Sequence, residues 1–506
     1  MSAATTLAEA LERPGSLRAT VPVKGEDLVA LAGTLLERGY RLALVSALDA
    51  EVEIRIVYLF VAGPPDRRIE LVATTGRERP TVPSLAHLSF SASRFEREIH
   101  DLFGVEPVGH PAPQRLVLHQ HWPEGWYPMR HDSPASMPML DDVASYPFVE
   151  VQGPGVYEIP VGPVHAGLIE PGHFRFSVVG ETILKMKARL WFVHKGIERL
   201  FEGRDVTSAL DLAEKISGDS AVGHSLALCR AVEEASGVTV SPRVEELRVV
   251  LLELERLYNH VADIGALCND VGFGLAQARA LTLRERLLRL NRTVSGHRLL
   301  RGGVSVGGAK VIAMPDEGEL DAIGDQFAEL VTLARGQGTV MDRFTGTGVL
   351  HLRDVQAIGV LGVAARASGS SYDARCAHPT GAPLIGFTPA CSTEGDVLAR
   401  FNVRVDEVAA SLNLLHEYCA RTGELDASGE SSASPIAGSG SGIVEGWRGA
   451  IVHRVEVDDG VLTRVKVVDP SFFNWPALAV SLADTIVPDF PLVNKSFNLS
   501  YAGNDL

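Results

Sequence analysis

Two histidines and a carboxylate stand close together in one Gly- and Pro-rich segment. They are His165, Glu170 and His173. Because an imidazole titrates near neutral pH, residues of these types could relay protons. The surrounding glycines and prolines are equally typical of turns, which the histidines could simply brace. The spacing alone leaves both interpretations open.

A second group follows in His194, Lys195 and Glu198. A glutamate buried near a histidine could pass protons, and a salt link from Glu198 to Lys195 at a helix end would explain the same residues. A third group contains Ser217 and Ser220.

His224 and Ser225 follow that serine pair, but no orienting acid stands at a recognisable spacing, which argues against a serine hydrolase. The phosphate loop G-x-x-x-x-G-K-[ST] does not occur. The run Arg301-Gly302-Gly303 lacks the strand-to-helix context of a dinucleotide site. We therefore expect no nucleotide site in this chain.

The segment 96–104, EREIHDLFG, is dense in charge. Arg97 and Asp101 are four residues apart, so they could pair on one helix face. Taken alone, the segment favours a solvated ion-pair helix that ends at a glycine turn.

Composition limits the class of protein. The 506 residues predict two or three domains, and 46% hydrophobic with 22% charged residues is ordinary for a globular chain. The net charge of −16 and the lack of a basic tract exclude nucleic acid as an expected partner.

The pattern also bears on compartment. The first residues have no secretory signal, and no run of 18 or more apolar residues predicts a membrane span. The odd number of scattered cysteines predicts buried free thiols rather than disulfides or a four-thiolate site. We expect a cytosolic chain. The cysteines are Cys229, Cys268, Cys376, Cys391 and Cys419.

Periodicity predicts an α+β fold with two unlike parts. A mixed α/β pattern, with a helix at 28–39 and a strand at 52–63, is followed by Pro-, Trp- and His-rich sequence over 114–154. We predict an N-terminal α/β domain over 1–133, an extended linker over 134–155, and a second domain over 156–506.

The second domain is predicted to be a helical bundle over about 205–422, with short β-hairpins near its start and its C-terminal end. A Ser/Gly/Ala-rich loop is predicted over 426–442, followed by a hairpin that turns at Asp459-Gly460.

Read together, these motifs resemble two subunits of complex I (NADH–quinone oxidoreductase) fused in one chain. The first part is similar to the 30 kDa subunit, on the motifs EREIHDLFG, GHP at 109–111, RLV at 115–117 and PMRHD at 128–132. Gln114 departs from the basic residue or proline usual there.

The second part resembles the 49 kDa subunit and, more closely, the large subunit of membrane-bound nickel–iron hydrogenases of the formate hydrogenlyase and hydrogenase-4 type. The motifs are GPVHAGLIEPGHFRF, FVHKGIERL, LLELERLYNH, RASGSSYDARCAHP and PSFFNWP. The likeness is collinear over roughly residues 90–506 and implies the hydrogenase large-subunit fold.

The positions at which this chain differs from the hydrogenase motifs determine whether a metal centre is expected. Family hydrogenases hold nickel and iron with two CxxC pairs, since soft thiolates suit such a centre. This chain has Ser217 and Ser220 at the first pair, and Ser500 and Gly503 at the second. We therefore expect no metal ligands and no nickel–iron centre.

Complex I subunits of this kind use the vacated cavity for a quinone headgroup, bound by a hairpin histidine and a tyrosine. The resemblance implies that His165 or His173 fills the first role, whereas the tyrosine position matches Gly218. Ser217, Ser220 or His224 could donate hydrogen bonds instead.

The leading hypothesis is a subunit of a complex I-like or hydrogenase-related assembly, peripheral on the cytoplasmic side of the membrane. It binds no cofactor itself and takes electrons from the 4Fe-4S clusters of a small partner subunit to a quinone-type acceptor, coupled to proton or ion transport through antiporter-like membrane subunits. His165, Glu170, His173, His194 and Glu198 would relay protons. The alternatives are a non-catalytic scaffold and an active hydrogenase.

Overall fold

A computed structural model describes residues 2–50, 52–134, 136–137, 139–141, 146–167, 169–380, 384, 386–421, 426–428 and 437–506. The elements of its first part are α1 (Ala3–Glu12), β1 (Leu17–Val23), α2 (Gly25–Glu37), β2 (Arg41–Asp49), β3 (Glu53–Ala62), β4 (Arg67–Gly76), β5 (Thr81–Pro83), α3 (Phe90–Phe103) and β6 (Glu106–Val108). The predicted helix and strand correspond to α2 and β3.

The first part is built on a four-stranded sheet in the order β1-β4-β3-β2, with β1 parallel to β4 and the other pairs antiparallel. β3 is buried over most of its length because helices and the second part of the chain cover the sheet. Described residues between 114 and 154 form turns and irregular backbone. The division at 133 and 156 stays a prediction.

The second part begins with a three-stranded antiparallel sheet and continues into helices, as the periodicity predicts. Its elements are β7 (Val156–Val161), β8 (His173–Val179), β9 (Thr182–Arg189), α4 (Ile197–Phe201), α5 (Val206–Ala213), α6 (Ala221–Ser236), α7 (Pro242–Asp270), α8 (Gly274–Ser295), β10 (Val304–Ser305), β11 (Gly308–Lys310), α9 (Glu317–Arg335), α10 (Gly338–Phe344), α11 (Leu352–Ile358), α12 (Gly362–Arg366), α13 (Ala374–Ala377) and α14 (Val397–Cys419).

The C-terminal part returns to β structure and ends in short helices. Its elements are β12 (Asp426–Ser428), β13 (Gly438–Gly446), β14 (Gly449–Asp458), β15 (Val461–Val468), α15 (Pro470–Ser481), a 3₁₀ turn (Val487–Asp489), α16 (Phe490–Phe497) and α17 (Tyr501–Asp505). The predicted hairpin is β14–β15, with positive φ at Asp459 and Gly460.

The Ser/Gly/Ala-rich loop predicted over 426–442 is wrong at both ends. Residues 426–428 form β12, which pairs with β11, and β13 starts at Gly438. The glycines serve packing: a Cβ at Gly442 would lie 2.0 Å from the carbonyl oxygen of Ala227 on α6. Small residues therefore allow α6 to lie against β13. Residues 429–436 lie outside the described residues.

The solvated ion-pair helix predicted around Glu96 is also wrong. α3 lies between the first sheet and the C-terminal part, so Glu96, Glu98 and Asp101 are buried. Asp101 accepts three backbone N–H bonds, from residues 116–118, while Arg97 donates to the carbonyl oxygens of residues 114 and 115. Because Arg97 and Asp101 both bond to the backbone of the following segment, they do not pair with each other.

The thiols are all free, but they are not all buried. Cys229 and Cys268 lie in the core, Cys376 and Cys419 are partly exposed, and Cys391 is exposed. The prediction of buried thiols is therefore wrong for Cys391, which stands in an irregular segment before α14.

Candidate functional site and neighbouring cavity

The loop between β7 and β8 carries the first predicted group. The ring N–H of His165 (Nε2) donates to the carbonyl of Gly172 at 2.8 Å, and that of His173 (Nδ1) donates to the carbonyl of Gly162 at 3.1 Å. Both histidines thus tie one arm of the loop to the other. Glu170 Oε2 accepts from the backbone N–H of Ala502 at 3.0 Å, which fixes this loop against the C-terminal segment.

The predicted serines meet in a group that we call the serine cluster: Ser217, Ser220 and Ser500, with Asp219, Arg448 and Asp469. The hydroxyls of Ser217 and Ser500 are 2.8 Å apart, and Ser217 also donates to Asp219 Oδ1 at 2.9 Å. Arg448 holds Asp219 through two bonds of 2.7 Å. The serines come together from distant positions because the loop before α6 packs against the segment before α17.

Asp469 fills the space beside Gly503. A Cβ placed on Gly503 would lie 2.6 Å from Asp469 Cγ, closer than real side chains approach. Asp469 Oδ2 is 3.2 Å from His224 Nε2, and His224 Nδ1 is 3.0 Å from His453 Nε2. Burial raises the pKa of Asp469, but His224 and Arg448 outweigh it, so that pKa is lowered.

Glu255 supports the same cluster from α7. Its two carboxylate oxygens accept the backbone N–H groups of Val222 and Gly223, at the start of α6. Burial raises the pKa of Glu255 to about 8; those two bonds lower it, and the nearby Asp219 raises it.

Sequence reasoning missed Asp469, Arg448, His453 and Glu255. The pair Asp469-Pro470 is a recognisable helix start, and the Asp469 side chain does cap α15 through Ser471 N–H. No local signal shows that the same carboxylate reaches His224.

The carboxylate of Glu198 has partners that do not belong to the serine cluster. Glu198 Oε2 accepts from Arg464 at 2.7 Å, and Oε1 accepts from Lys466 at 2.9 Å. The predicted salt link to Lys195 is wrong, because Lys195 instead donates to the carbonyl of Ile216. Burial raises the pKa of Glu198, but the two cations lower it to about 2.

His194 and Glu198 line a cavity of about 360 Å³, which we call the Glu98 cavity. His194 Nδ1 donates to the carbonyl of Asp505 at 2.6 Å, and burial lowers the pKa of this imidazole. The remaining walls come from α3, the segment after it, the segment from β9 into α4, and the C-terminal segment: Glu98, Leu102, Val117, Trp126, Pro128, Met129, Ser133, Pro134, Trp191, Gly196, Arg199, Asp505 and Leu506. The residues predicted to form one site therefore fall in two places. Some lie in the β7–β8 loop and the serine cluster, and His194 and Glu198 line the Glu98 cavity.

Comparison with known proteins supports a family assignment. The profile of the respiratory-chain NADH dehydrogenase 30 Kd subunit matches residues 21–138, and that of the 49 Kd subunit matches residues 270–433. Formate hydrogenlyase subunit 5 of Escherichia coli is 30% identical over 84% of this chain and 77% of its own length. The chain belongs to this family of complex I and membrane-bound hydrogenase subunits.

Two further likenesses agree. An NADH-quinone oxidoreductase subunit of Phocaeicola vulgatus is 30% identical over 68% of this chain and 70% of its own length. The structure of an archaeal membrane-bound sulfane sulfur reductase complex contains a chain with a TM-score of 0.64 and 23% identity. That match covers 70% of this chain and 99% of that one, and it bears on fold alone.

The predicted family and the α+β fold class are thus confirmed, and this family member is an oxidoreductase subunit that works within a complex. Among the described residues, no helix is both long and apolar enough to cross a bilayer. In the same part of the chain, no three His, Cys, Asp or Glu side chains gather as a metal-binding group.

Proposed function

We propose that this chain takes electrons from the 4Fe-4S clusters of a small partner subunit to a quinone-type acceptor, and that it does so without a nickel–iron centre. The transfer would be coupled to proton or ion transport by antiporter-like membrane subunits. The chain would be peripheral to the membrane, on its cytoplasmic side. Its relatives include subunits named for NADH-quinone oxidoreductase and for membrane-bound hydrogenase.

The serine cluster carries the part of the proposal that concerns the metal. Neutral hydroxyls do not supply the soft anionic ligands that nickel needs, and the hydroxyls of Ser217 and Ser500 already bond to each other. Asp469 occupies the place that a side chain at residue 503 would require. These donors do not fit a nickel–iron centre.

The loop between β7 and β8 supports the acceptor part of the proposal. His165 and His173 are half-buried, and each donates one ring N–H to brace the loop. The other ring nitrogen accepts from a quinol hydroxyl when the ring is neutral, and it donates to a quinone oxygen when the ring is protonated. Glu170 links this loop to the segment of Ser500. We propose that an acceptor ring meets these histidines, with Ser217, Ser220 and His224 behind them.

His194 and Glu198 have a different place in this proposal. Both line the Glu98 cavity, and Glu198 is held ionised by Arg464 and Lys466. An ionised carboxylate between two cations releases and takes up protons poorly at neutral pH. The Glu198→Gln variant tests its part in proton relay: unchanged turnover of the assembly excludes that role.

A non-catalytic scaffold is the second candidate, and side-chain packing favours it. Phe174 and Tyr501 are buried, and both rings lie against Trp475, with centroid distances of 6.0 and 4.8 Å. This packing and the paired hydroxyls support a serine cluster that is closed to an acceptor. A scaffold would keep the interfaces of the family without an acceptor reaction.

The test uses the assembly purified through a tag on this chain. Its iron–sulfur clusters are reduced chemically, a short-chain quinone is added, and cluster re-oxidation is followed by absorbance. We expect re-oxidation that is lost on changing His165 and His173 to Gln, and kept in the exposed control His351→Gln.

Two outcomes contradict the proposal. Intact clusters that quinone does not re-oxidise would favour the scaffold. Stoichiometric nickel in the same preparation, measured by elemental analysis, would favour the hydrogenase instead.

A further inference from the structure

The Glu98 cavity lies where the two parts of the chain meet. Glu98, Val117 and Trp126 line it from the first part, and Trp191 and Arg199 line it from the second. Its volume of about 360 Å³ is within the range of ligand pockets, which often form at such junctions. The position and the size of this cavity therefore fit a small-molecule site.

Aromatic and aliphatic side chains form much of its wall. The Trp126 ring is held in place, since it stacks on Trp122 with a centroid distance of 4.6 Å and a 7° interplanar angle, and its Nε1 donates to the carbonyl of Pro134. Indole and aliphatic walls together suit a flat ring. The buried members of this wall are Leu102, Val117, Met129 and Trp191.

The carboxylates in and beside the wall all have cations near them. By hydrogen bond or by charge, the pairs are Glu98 with Lys466 and Arg94, Glu198 with Arg464 and Lys466, Glu202 with Arg199, and Asp505 with Arg94, Arg189 and Lys195. The guanidinium of Arg94 also lies over the Trp191 ring, 5.6 Å from its centroid. A cationic ligand therefore finds no excess of negative charge, and an anionic ligand meets carboxylates. These surroundings favour a neutral ligand.

Glu98 gives the cavity an unsatisfied polar group. Its side chain is only 8% exposed, and Oε1 accepts from Lys466 at 2.7 Å, but Oε2 has no hydrogen-bond partner among the described residues. Burial raises the pKa of Glu98 despite the charge of Lys466, which favours the protonated form of this carboxyl group. A hydroxyl group suits both forms, since it donates to a carboxylate and accepts from a carboxylic acid, whereas an ether oxygen only accepts. A buried carboxyl oxygen without a partner is costly, and a bound hydroxyl removes that cost.

We propose that the Glu98 cavity binds a neutral aromatic alcohol, whose ring lies against Trp126 and whose hydroxyl bonds to the carboxyl group of Glu98. No residue of the serine cluster lines this cavity, and binding there does not depend on the proposed electron transfer. The ligand class is a phenol or a naphthol, as opposed to a charged ring or an ether.

The probe is β-naphthol, and its methyl ether is the comparator, because the ether keeps the ring and the oxygen but lacks the O–H. Titration of the full chain in a calorimeter is expected to show one site for β-naphthol with a Kd below about 1 mM. The ether is expected to bind about tenfold more weakly, since it does not donate to Glu98.

Three variants separate the hydroxyl contact from the ring contact. In Glu98→Gln the preference for the alcohol over the ether should fall to about twofold, since an amide both donates and accepts. Trp126→Leu should weaken both ligands about fivefold and keep that preference. Glu124→Gln removes an exposed carboxylate that does not line the cavity, so binding should stay within about twofold of wild type. Trp126 is half-buried, so its variant remains informative if Glu98→Gln unfolds.

Other results overturn the proposal. No saturable binding of β-naphthol by the wild-type chain, or equal binding by the wild type and Trp126→Leu, would show that this cavity is not the site. Equal affinity of the wild type for the alcohol and the ether would remove the role of the hydroxyl. Binding to the isolated chain that disappears in the purified assembly would show that a partner's side chain fills the cavity, and the small-molecule assignment would fall.

Discussion

The serine cluster and the Glu98 cavity are both polar, buried and formed by distant segments, yet they differ in how their polar groups are paired. In the serine cluster, Ser217, Ser500 and Asp219 all have partners within the chain. In the cavity, Glu98 Oε2 has none, and about 360 Å³ stays open beside it.

This difference shows that the positions singled out by the family resemblance are not the positions with open space and unpaired polar atoms. The family motifs direct attention to the positions where cysteines were expected, and there the hydroxyl of Ser217 bonds to Ser500 and Asp219. The open volume and the unsatisfied acceptor lie instead at α3 and the C-terminal segment. An unpaired polar atom beside an open volume, more than the position of a motif, therefore indicates which region could bind a ligand.

The largest predicted effect comes from a substitution beside the Glu98 cavity. Lys466 is 3% exposed and bonds both Glu98 and Glu198, so Lys466→Met leaves two buried carboxylates short of a cation. We expect a loss of about 4 kcal/mol in the free energy of unfolding, measured by urea titration.

The matched control is Lys215→Met, which removes a solvent-exposed pair with Asp211 and should cost under about 1 kcal/mol. Equal losses for the two lysine variants would contradict the role of burial.

The next prediction uses pH on the serine-cluster side. Burial raises the pKa of Glu255 from 4.5 to about 8, so its stabilising contribution is complete below pH 4.5 and is lost as pH rises toward 8. Relative to Glu255→Gln, the wild type should lose about 3 kcal/mol between pH 4.5 and pH 7.

Urea titrations at several pH values measure the difference in the free energy of unfolding between wild type and Glu255→Gln. A pH-independent effect of the Gln side chain does not change how this difference varies with pH. The exposed control Glu9→Gln should follow the wild-type pH dependence. A pH-independent difference between Glu255→Gln and wild type would show that Glu255 is ionised throughout.

Packing at Gly503 comes third. Gly503→Ala places a Cβ 2.6 Å from Asp469 Cγ and should lower the free energy of unfolding by about 2 kcal/mol. In the Asp469→Ala background the same change should cost much less, which a double-mutant cycle measures. Gly318→Ala, at an exposed position in α9, should stabilise slightly through helix propensity. An unchanged stability of Gly503→Ala would mean that the cluster has room for a ligand side chain.

The smallest effect concerns the hydroxyl pair. Ser217→Ala removes the bonds to Ser500 and Asp219, and we expect a loss of about 1 kcal/mol by the same urea titration. Ser236→Ala removes one hydroxyl bond within α6 and should cost about 0.5 kcal/mol. If Ser217→Ala were neutral while binding of a short-chain quinone improved, the cluster would be an open acceptor pocket.

Much of the fold was predictable because it depends on local pattern. Apolar periodicity predicts α2, α7 and α8, and Asp459-Gly460 predicts the β14–β15 turn. The loop predicted for the Ser/Gly-rich stretch was wrong, since composition does not distinguish a flexible loop from a strand on which a helix packs closely.

The sequence by itself determined the family and the order of α and β segments, and it carries the prediction that Ser217, Ser220, Ser500 and Gly503 stand where the family's thiolates are expected. Only the tertiary structure decided that Asp469 stands beside Gly503, that Glu198 pairs with Arg464 and Lys466, and that Glu98 keeps a free oxygen. These contacts join residues far apart in the chain, and their pKa values and hydrogen bonds follow from burial, which has no local sequence signal.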